Sequence, residues 1–245
     1  MYLYIFDSFL QQKKYSKELM KIEHRLTDLE LKGRQVKLSL LKNVREVIQQ
    51  AIKDGVQTIV VVGNDQTFHQ ALNAIAGTNL TLGYIPFEKS SPVASVLHLP
   101  LASLACEVLA QRLLKKFDLG KINDHYFLLQ AQALDPRITV DFGSYKITPS
   151  GKNQTIIYNH PPLDNSIRAS SEDGFLEVVI DQTPSTFEKL LKKHSLPSVF
   201  PFKKVKLSSA EPIGLQLDHQ ALVKTPAVAE VVNQAIKIIV GAGLI

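Results

Sequence analysis

A single cysteine, Cys106, in 245 residues excludes an intramolecular disulfide and makes a reducing compartment the default expectation. No apolar run approaches the roughly 20 residues that a membrane-spanning helix needs. The strongest candidate, Val93 to Ala110, is broken by His98, Pro100, Ser103 and Glu107. The opening residues, Met1-Tyr2-Leu3-Tyr4-Ile5-Phe6-Asp7, lack the basic lead and small-residue cleavage site of a secretory signal. The seven histidines show neither H-x-x-x-H nor H-E-x-x-H spacing, which argues against a zinc site. No G-x-G-x-x-G follows the first strand and no G-x-x-x-x-G-K-[ST] occurs, so neither the dinucleotide fingerprint nor the P-loop is present. Internal repeats and low-complexity linkers are also missing. The expectation is a cytoplasmic protein.

What is present is ordinary globular composition, with 45% hydrophobic and 21% charged residues, enough for one large or two small domains. Lys and Arg exceed Asp and Glu by 28 to 23, a net charge of +5. That balance suits nucleotides or anionic lipid surfaces as well as nucleic acid, and selects none of them. Three basic clusters, Lys13-Lys14-Lys17-Lys21, Lys192-Lys193 and Lys203-Lys204-Lys206, read as solvated faces or as contacts to anionic headgroups, each basic residue contributing about 1 kcal/mol near such a surface.

The chain is organised around Thr58 to Leu72. Ile59-Val60-Val61-Val62 reads as a strand buried on both faces of a parallel sheet. Gly63 to Gln66 reads as a polar turn, with Thr67 as N-cap and Gln70 completing a capping box. Phe68, Ala71, Leu72 and Ile75 then form the buried face of a helix. Strand, tight turn and helix start together suit an anion such as phosphate. An ordinary βα unit whose turn binds nothing has the same pattern.

Around this stretch the first half alternates strand and helix. Tyr2–Phe6 is a strand, followed by a helix from about Lys17 and a strand at Val36 and Leu38. Asn43 caps the next helix and Gly55 ends it. After the central unit come a strand, Leu80 to Ile85, the loop Pro86-Phe87-Glu88-Lys89-Ser90-Ser91-Pro92, and a helix from Leu101 to Leu114. The rhythm predicts a parallel α/β sheet with ligands beyond the strand carboxyl ends. From about Lys116 the period changes to short strands: Tyr126–Ala131, Ile138–Phe142, Tyr145–Thr148, Thr155–Tyr158, Phe175–Asp181, Lys203–Ser208, Ile213–Leu217 and Ala235–Val240. One helix, capped by Thr183 with Pro184 at its first position, interrupts them. The second half is expected to be β-sandwich-like. The predicted domains are 1–116, with 224–245 returning to it, and 117–223.

The order of landmarks carries a family resemblance. A Gly63-x-Asp65-x-Thr67 turn, a strand-Pro loop, Phe117-Asp118-Leu119-Gly120 leading into a β domain, and Glu172-Asp173-Gly174-Phe175 before a capped helix recur in that order. With the ending Val205 to Val240, they resemble the diacylglycerol kinase catalytic family and its bacterial lipid-kinase members, whose fold is shared with NAD kinases. The likeness runs from about Tyr2 to Val240.

The resemblance implies roles residue by residue. The family turn is Gly-Gly-Asp-Gly-Thr and lies against nucleotide phosphates. Gly63, Asp65 and Thr67 match it, while Asn64 and Gln66 replace glycines. Gln66 would cost roughly 1–2 kcal/mol if its φ had to be positive. The family's Pro-x-Gly-Thr-Gly-Asn-Asp loop keeps only Pro86, with Glu88, Lys89 and Ser90 in the following places. An inward Glu88 would repel a phosphate 4 Å away by about 4 kcal/mol at an effective dielectric near 20. The family's Asn-Pro-x-x-Gly element near the nucleotide is Asp7-Ser8-Phe9-Leu10 here. On the acceptor side the family's Asp-Gly-Glu, whose glutamate is the general base, is Asp218-His219-Gln220. Gln220 cannot take a proton, which would cost on the order of 3–5 kcal/mol, and His219 reads either as a substitute base or as a hydrated surface histidine. Asp173 stands at the family's acidic position near a bound Mg²⁺, although a plain Asp-Gly turn gives the same pattern.

These departures lead to the expectation of a lipid-kinase-like pseudoenzyme with lost or weak ATP-dependent phosphorylation and a regulatory or ligand-binding role. The alternative is an active ATP-dependent lipid kinase using diverged residues. ATP and Mg²⁺ are implied by the resemblance alone, with no cofactor as the other reading. An anionic lipid surface is the expected partner, with peripheral membrane association, and nucleic acid is not expected. The apolar end, Ile238 to Ile245, reads either as a buried final strand or as an oligomer contact.

Overall fold

The computed structural model describes residues 1–39, 42–149, 151, 153–162, 167–181 and 197–244. The chain divides into two compact units, Met1–Phe117 with Ala235–Ile245, and Asp118–Gln234. The predicted helix at Thr183 and the Lys192-Lys193 pair lie outside the described residues. No helix among those described is long and apolar enough to cross a membrane.

The first unit is α/β. β1 (Tyr2–Phe6), α1 (Ser16–Asp28), β2 (Gly33–Lys37), α2 (Val44–Lys53), β3 (Thr58–Gly63), α3 (Asp65–Ile75) and β4 (Thr81–Pro86) alternate as the periodicity predicts. Then come α4 (Pro92–Val96), α5 (Ala105–Gln111) and the start of β5 (Leu114–Ile122). The first four strands pair in parallel, in the order β2-β1-β3-β4. The end of the last strand adds beside β4, with Lys237 opposite Thr81. Alternating side chains explain the two layers of helix. Tyr4, Phe6, Val60, Val62, Ile85 and Ile239 pack with Ile22 and Leu26 of α1 and Ala105 and Leu109 of α5. Leu3, Ile5, Ile59 and Val61 point the other way and are equally buried, on the side where α3 lies against β3 and β4, and α2 against α3.

Two boundaries differ from the sequence reading. The polar turn after β3 is a single residue. Asn64, with extended backbone, is the N-cap, and its Oδ1 accepts from the Thr67 N–H at 3.0 Å. Thr67 is therefore inside the first turn of α3 and caps nothing. An Asn side chain satisfies an orphan N–H at least as well as Thr, and the helix starts as early as a cap allows. The helix expected over Leu101–Leu114 spans only Ala105–Gln111, following a 3-10 turn at Ala102–Leu104 and ending where Arg112 takes a left-handed conformation (φ 51°) and the chain turns into β5. The short α4 went unread, although Ser91-Pro92 is an N-cap followed by proline at the first helical position.

The second unit adds β6 (His125–Phe127), β7 (Gln130–Ala133), β8 (Thr139–Asp141), β9 (Lys146–Ile147), β10 (Gln154–Tyr158), β11 (Leu176–Asp181), β12 (Ser198–Phe202), β13 (Lys204–Ser208), β14 (Gly214–Leu217) and β15 (Ala221–Lys224). The last strand, β16 (Ala227–Ile239), begins here and ends in the first unit. One sheet runs β12-β11-β10-β7-β14-β15 and is antiparallel throughout. The other joins β9, β8, β13 and the first half of β16, also antiparallel. Ile157, Val178 and Leu215 of the first meet Val140, Val205, Leu207 and Ala229 of the second in one core, so the unit is a sandwich.

The strand expected over Tyr126–Ala131 is split in two. The Leu128 and Leu129 N–H groups donate to the Asp218 carboxylate instead of continuing one ladder. β16 is far longer than the expected Ala235–Val240, and β5, β12 and β15 were not anticipated. Gly120 of β5 faces the Phe127 ring of its neighbour β6, and an added Cβ would fall 2.0 Å from the ring. Gly120→Ala is expected to cost about 3 kcal/mol by overpacking, seen as a lower urea midpoint with unchanged slope. An unchanged midpoint would show that the ring moves aside freely.

Candidate functional site

In the first unit the chain steps from β1 to β2 on one side and to β3 on the other, so the carboxyl ends of β1 and β3 form a topological switch point. Ligands of open α/β sheets bind at such a point. Asp7 follows β1 there, Asn64 and Asp65 follow β3, and Phe87 to Ser91 follow β4. The structure thus brings Gly63, Asn64, Asp65, Gln66, Thr67 and the loop of Glu88, Lys89 and Ser90 to one end of one sheet.

The switch point is filled by the protein's own groups. Asp7 is buried, and its carboxylate accepts from the Thr67 hydroxyl and, at 3.2 Å, from the Phe9 N–H. Its backbone N–H donates to the Val62 carbonyl. Gly63 backs directly onto it, since a Cβ there would lie 2.7 Å from the Asp7 Cβ. Asp65, also buried, accepts from the Tyr84 hydroxyl at 2.9 Å, the Ser91 hydroxyl, and the Val93 N–H at 3.3 Å. Ser91 in turn caps α4 through the Ala94 N–H. Phe9, Tyr15 and Phe87 pack edge to face and tie the turn after β1 to the loop after β4.

The side chains assigned by resemblance fall out differently. Neither Asn64 nor Gln66 has a positive φ, so the backbone cost anticipated for Gln66 does not arise: it sits in the first turn of α3 with its side chain exposed. Glu88, Lys89 and Ser90 are exposed, and Ser91, which sequence reasoning passed over, is the buried serine of that loop. An exposed Glu88 repels a phosphate by nearer 1 kcal/mol than 4, because water screens it. Its carboxyl is nonetheless held above the usual range, by partial burial first and then by the charges of Asp65 and Asp7.

In the second unit three residues, Asp218, His219 and Gln220, join β14 to β15; Asp218 and His219 are the central pair of the turn, both with positive φ (47° and 59°), and it is closed by the Gln220 N–H on the Leu217 carbonyl. This is the hairpin geometry that favours Asn-Gly or Asp-Gly. Asp218 is buried and accepts from the N–H groups of Leu128, Leu129 and Gln130 at 2.7–2.9 Å. His219 is exposed, its Nε2 lying 3.3 Å from the Gln130 amide nitrogen. Asp173 is exposed and accepts from the Phe175 N–H, an Asx turn. No cluster of three or more acidic, His or Cys side chains able to hold a metal occurs among the described residues.

Asp118, which sequence reading used only as a landmark, is the buried acid of this region. Its two oxygens accept from the Gly174 and Gln234 N–H groups at 2.8 and 2.7 Å. The Asp-Leu-Gly signature is thus structural: a clamp at Asp118 and a ring seat at Gly120.

The residues present do not fit a Mg²⁺-triphosphate well. Two of the three retained turn residues, Gly63 and Thr67, are engaged by Asp7, and Asn64 takes the Thr67 N–H that a glycine turn would leave for phosphate. One oxygen of Asp173 accepts within a turn.

An α/β unit with ligand loops at its sheet's carboxyl end, linked to an antiparallel β sandwich, defines the kinase fold common to lipid and NAD kinases. Residues 2–122 match the family model of the diacylglycerol kinase catalytic domain. Across its length the chain is similar to the crystal structure of a diacylglycerol kinase from Bacillus anthracis, with 16% identity, 100% of this chain and 98% of that chain covered, and a TM-score of 0.83. It is also similar to an NAD kinase from Archaeoglobus fulgidus in complex with ATP, with 11% identity, 100% and 95% covered, and a TM-score of 0.62. Residues 2–122 thus match a diacylglycerol kinase catalytic domain, and the whole chain has the fold shared by bacterial diacylglycerol kinases and NAD kinases.

Two consequences are measurable. Glu177 of β11 is 6% exposed and its Oε2 has no hydrogen-bond partner, so burial, helped by the Asp173 charge, pushes its carboxyl up to about 7. The folded state then holds the proton more tightly than the unfolded chain. Its stabilising share is full below about pH 4.5 and is lost as pH rises through 7. Glu177→Gln is expected to match the wild type near pH 4.5 and exceed it by about 2–3 kcal/mol at pH 8. Parallel stability curves for the two proteins would refute this. Separately, His219→Gly removes a side chain from a left-handed position and should raise stability by about 0.5–1 kcal/mol, read as a higher melting temperature. A lower one would mean that the histidine contact outweighs the backbone cost.

Proposed function

We propose that this protein is a diacylglycerol-kinase-like pseudoenzyme, with phosphoryl transfer lost or weak and a regulatory or ligand-binding role. The observation that carries this reading is Asp7. A buried carboxylate occupies the switch point between β1 and β3 and engages the Thr67 hydroxyl and Gly63, the residues that the family turn offers to a nucleotide. Asp65 is shared with the family turn and is no departure. Asp7 and Glu88 are, and each adds negative charge where a triphosphate would bring its own. Phosphoryl transfer depends on positioning and charge neutralisation, so both losses act on the same step. On the acceptor side Gln220 can orient a hydroxyl but cannot remove its proton, a deficit of 10²–10⁴ in rate.

The family brings ATP as the nucleotide to test. Calorimetry with Mg-ATP is expected to show no binding at micromolar concentrations. Incubation with ATP and diacylglycerol or sphingoid-base vesicles should give no phospholipid above a buffer control. Gln220→Glu should rescue nothing, because the donor end is unchanged. Micromolar Mg-ATP binding, or lipid turnover that His219→Ala abolishes, would overturn the reading and make His219 the base.

A further inference from the structure

The first unit has a second concavity at the opposite ends of its strands. Tyr2, Thr58 and Thr81 are the first residues of β1, β3 and β4, whereas the switch point lies past their last residues. Strands of this length separate the two places by about 17–20 Å. The cavity measures about 500 Å³, within the range of small-molecule sites. Its walls include the apolar Ile52, Val56 and Leu114 and the polar Asn79, Arg112 and Lys237. No acidic residue lines it.

Three features distinguish it from a surface dimple. Both cations lack a carboxylate partner among the described residues. Lys237 has only the Asn79 carbonyl, at 3.5 Å, while Arg112 donates to the Tyr2 hydroxyl at 2.8 Å and to Thr58 Oγ1 at 3.3 Å. The Arg112 guanidinium also lies 5.5 Å from the centre of the Tyr2 ring, with two acceptors for five N–H donors. It does this from a left-handed backbone position at the end of α5, where glycine is the usual residue. Finally, the rim keeps two large apolar side chains in water, Ile52 at 44% and Leu114 at 46% exposure.

We infer that this cavity binds an anionic amphiphile, a molecule with a carboxylate or phosphate head and an alkyl tail. The head fits between Arg112 and Lys237, where a planar fork and a point charge meet an anion with no competing carboxylate. The tail covers Ile52, Val56 and Leu114. Charge complementarity and the exposed apolar rim select this ligand class over a neutral lipid or a bare ion. The site is independent of whether nucleotide binds at the other end of the sheet.

The test titrates decanoate, decyl phosphate, decanol and inorganic phosphate, each below its aggregation threshold, into the whole protein by calorimetry. At least one of the two anionic amphiphiles should bind with one-to-one stoichiometry, and whichever binds tighter identifies the head. Decanol and inorganic phosphate should each bind at least tenfold more weakly. Lys237→Gln and Arg112→Gly should each weaken binding tenfold or more. Arg112→Gly relieves the left-handed position, so its melting temperature should be unchanged or raised, which separates lost binding from misfolding. Equal binding of decanol, stronger binding of inorganic phosphate, or undiminished binding by both variants would overturn the inference.

Discussion

The carboxylate of Asp7 constrains everything at the carboxyl end of the first unit's sheet. A buried carboxylate without donors would cost several kcal/mol, so the fold has to supply them. The Thr67 hydroxyl and the Phe9 N–H do so, and the close approach of Asp7 leaves room only for a glycine at position 63. Asp65 then repeats the arrangement one strand along, drawing Tyr84, Ser91 and Val93 to the end of β4. The two acids tie the strand ends to the segments that follow them, and their hydrogen bonds engage the Thr67 and Ser91 hydroxyls.

The second unit uses the same chemistry for a different purpose. Asp118 gathers the N–H groups of Gly174 and Gln234, and Asp218 gathers those of Leu128, Leu129 and Gln130. Both are buried acids whose acceptor capacity is taken up by backbone, in places where sheet ladders are interrupted. Charge-assisted bonds of this kind are stronger than neutral ones and justify burying the charge. The turn at Asp218-His219 persists with a non-glycine residue at φ 59° because Asp218 holds it from inside. The acids that survive from the family pattern are therefore those with structural work. The ones that differ, Asp7, Glu88 and Gln220, stand at positions the resemblance links to donor binding or proton removal.

Much of the architecture was legible in local pattern. Ile59 to Val62, Asn43 before Val44, Gly55 after α2, and the alternation in Gly214–Leu217 each report a local preference that the fold respects. The places where pattern failed were those where a distant group intervened. Leu128-Leu129 reads as continuous strand and is diverted by Asp218, ninety residues away in sequence. Thr67 reads as a helix cap and is instead claimed by Asp7, sixty residues earlier, while Asn64 takes the cap. Ser91 and Tyr84 could have been flagged only as an N-cap and a core aromatic, because their common partner, Asp65, is brought to them by β4 lying beside β3.

The sequence by itself determined the parallel α/β half, the β half, the absence of an intramolecular disulfide within these 245 residues and the family resemblance. Each of these rests on periodicity, composition or the order of motifs along the chain. Tertiary structure alone decided which acids are buried and satisfied, that Gln66 and Glu88 face solvent, and that Arg112 and Lys237 share one cavity with exposed apolar side chains. The physical reason is that burial and hydrogen-bond partnership depend on which strands become neighbours. Asp7 and Thr67, or Arg112 and Lys237, are joined by the sheet order β2-β1-β3-β4 and the return of the last strand, which no local window of sequence contains.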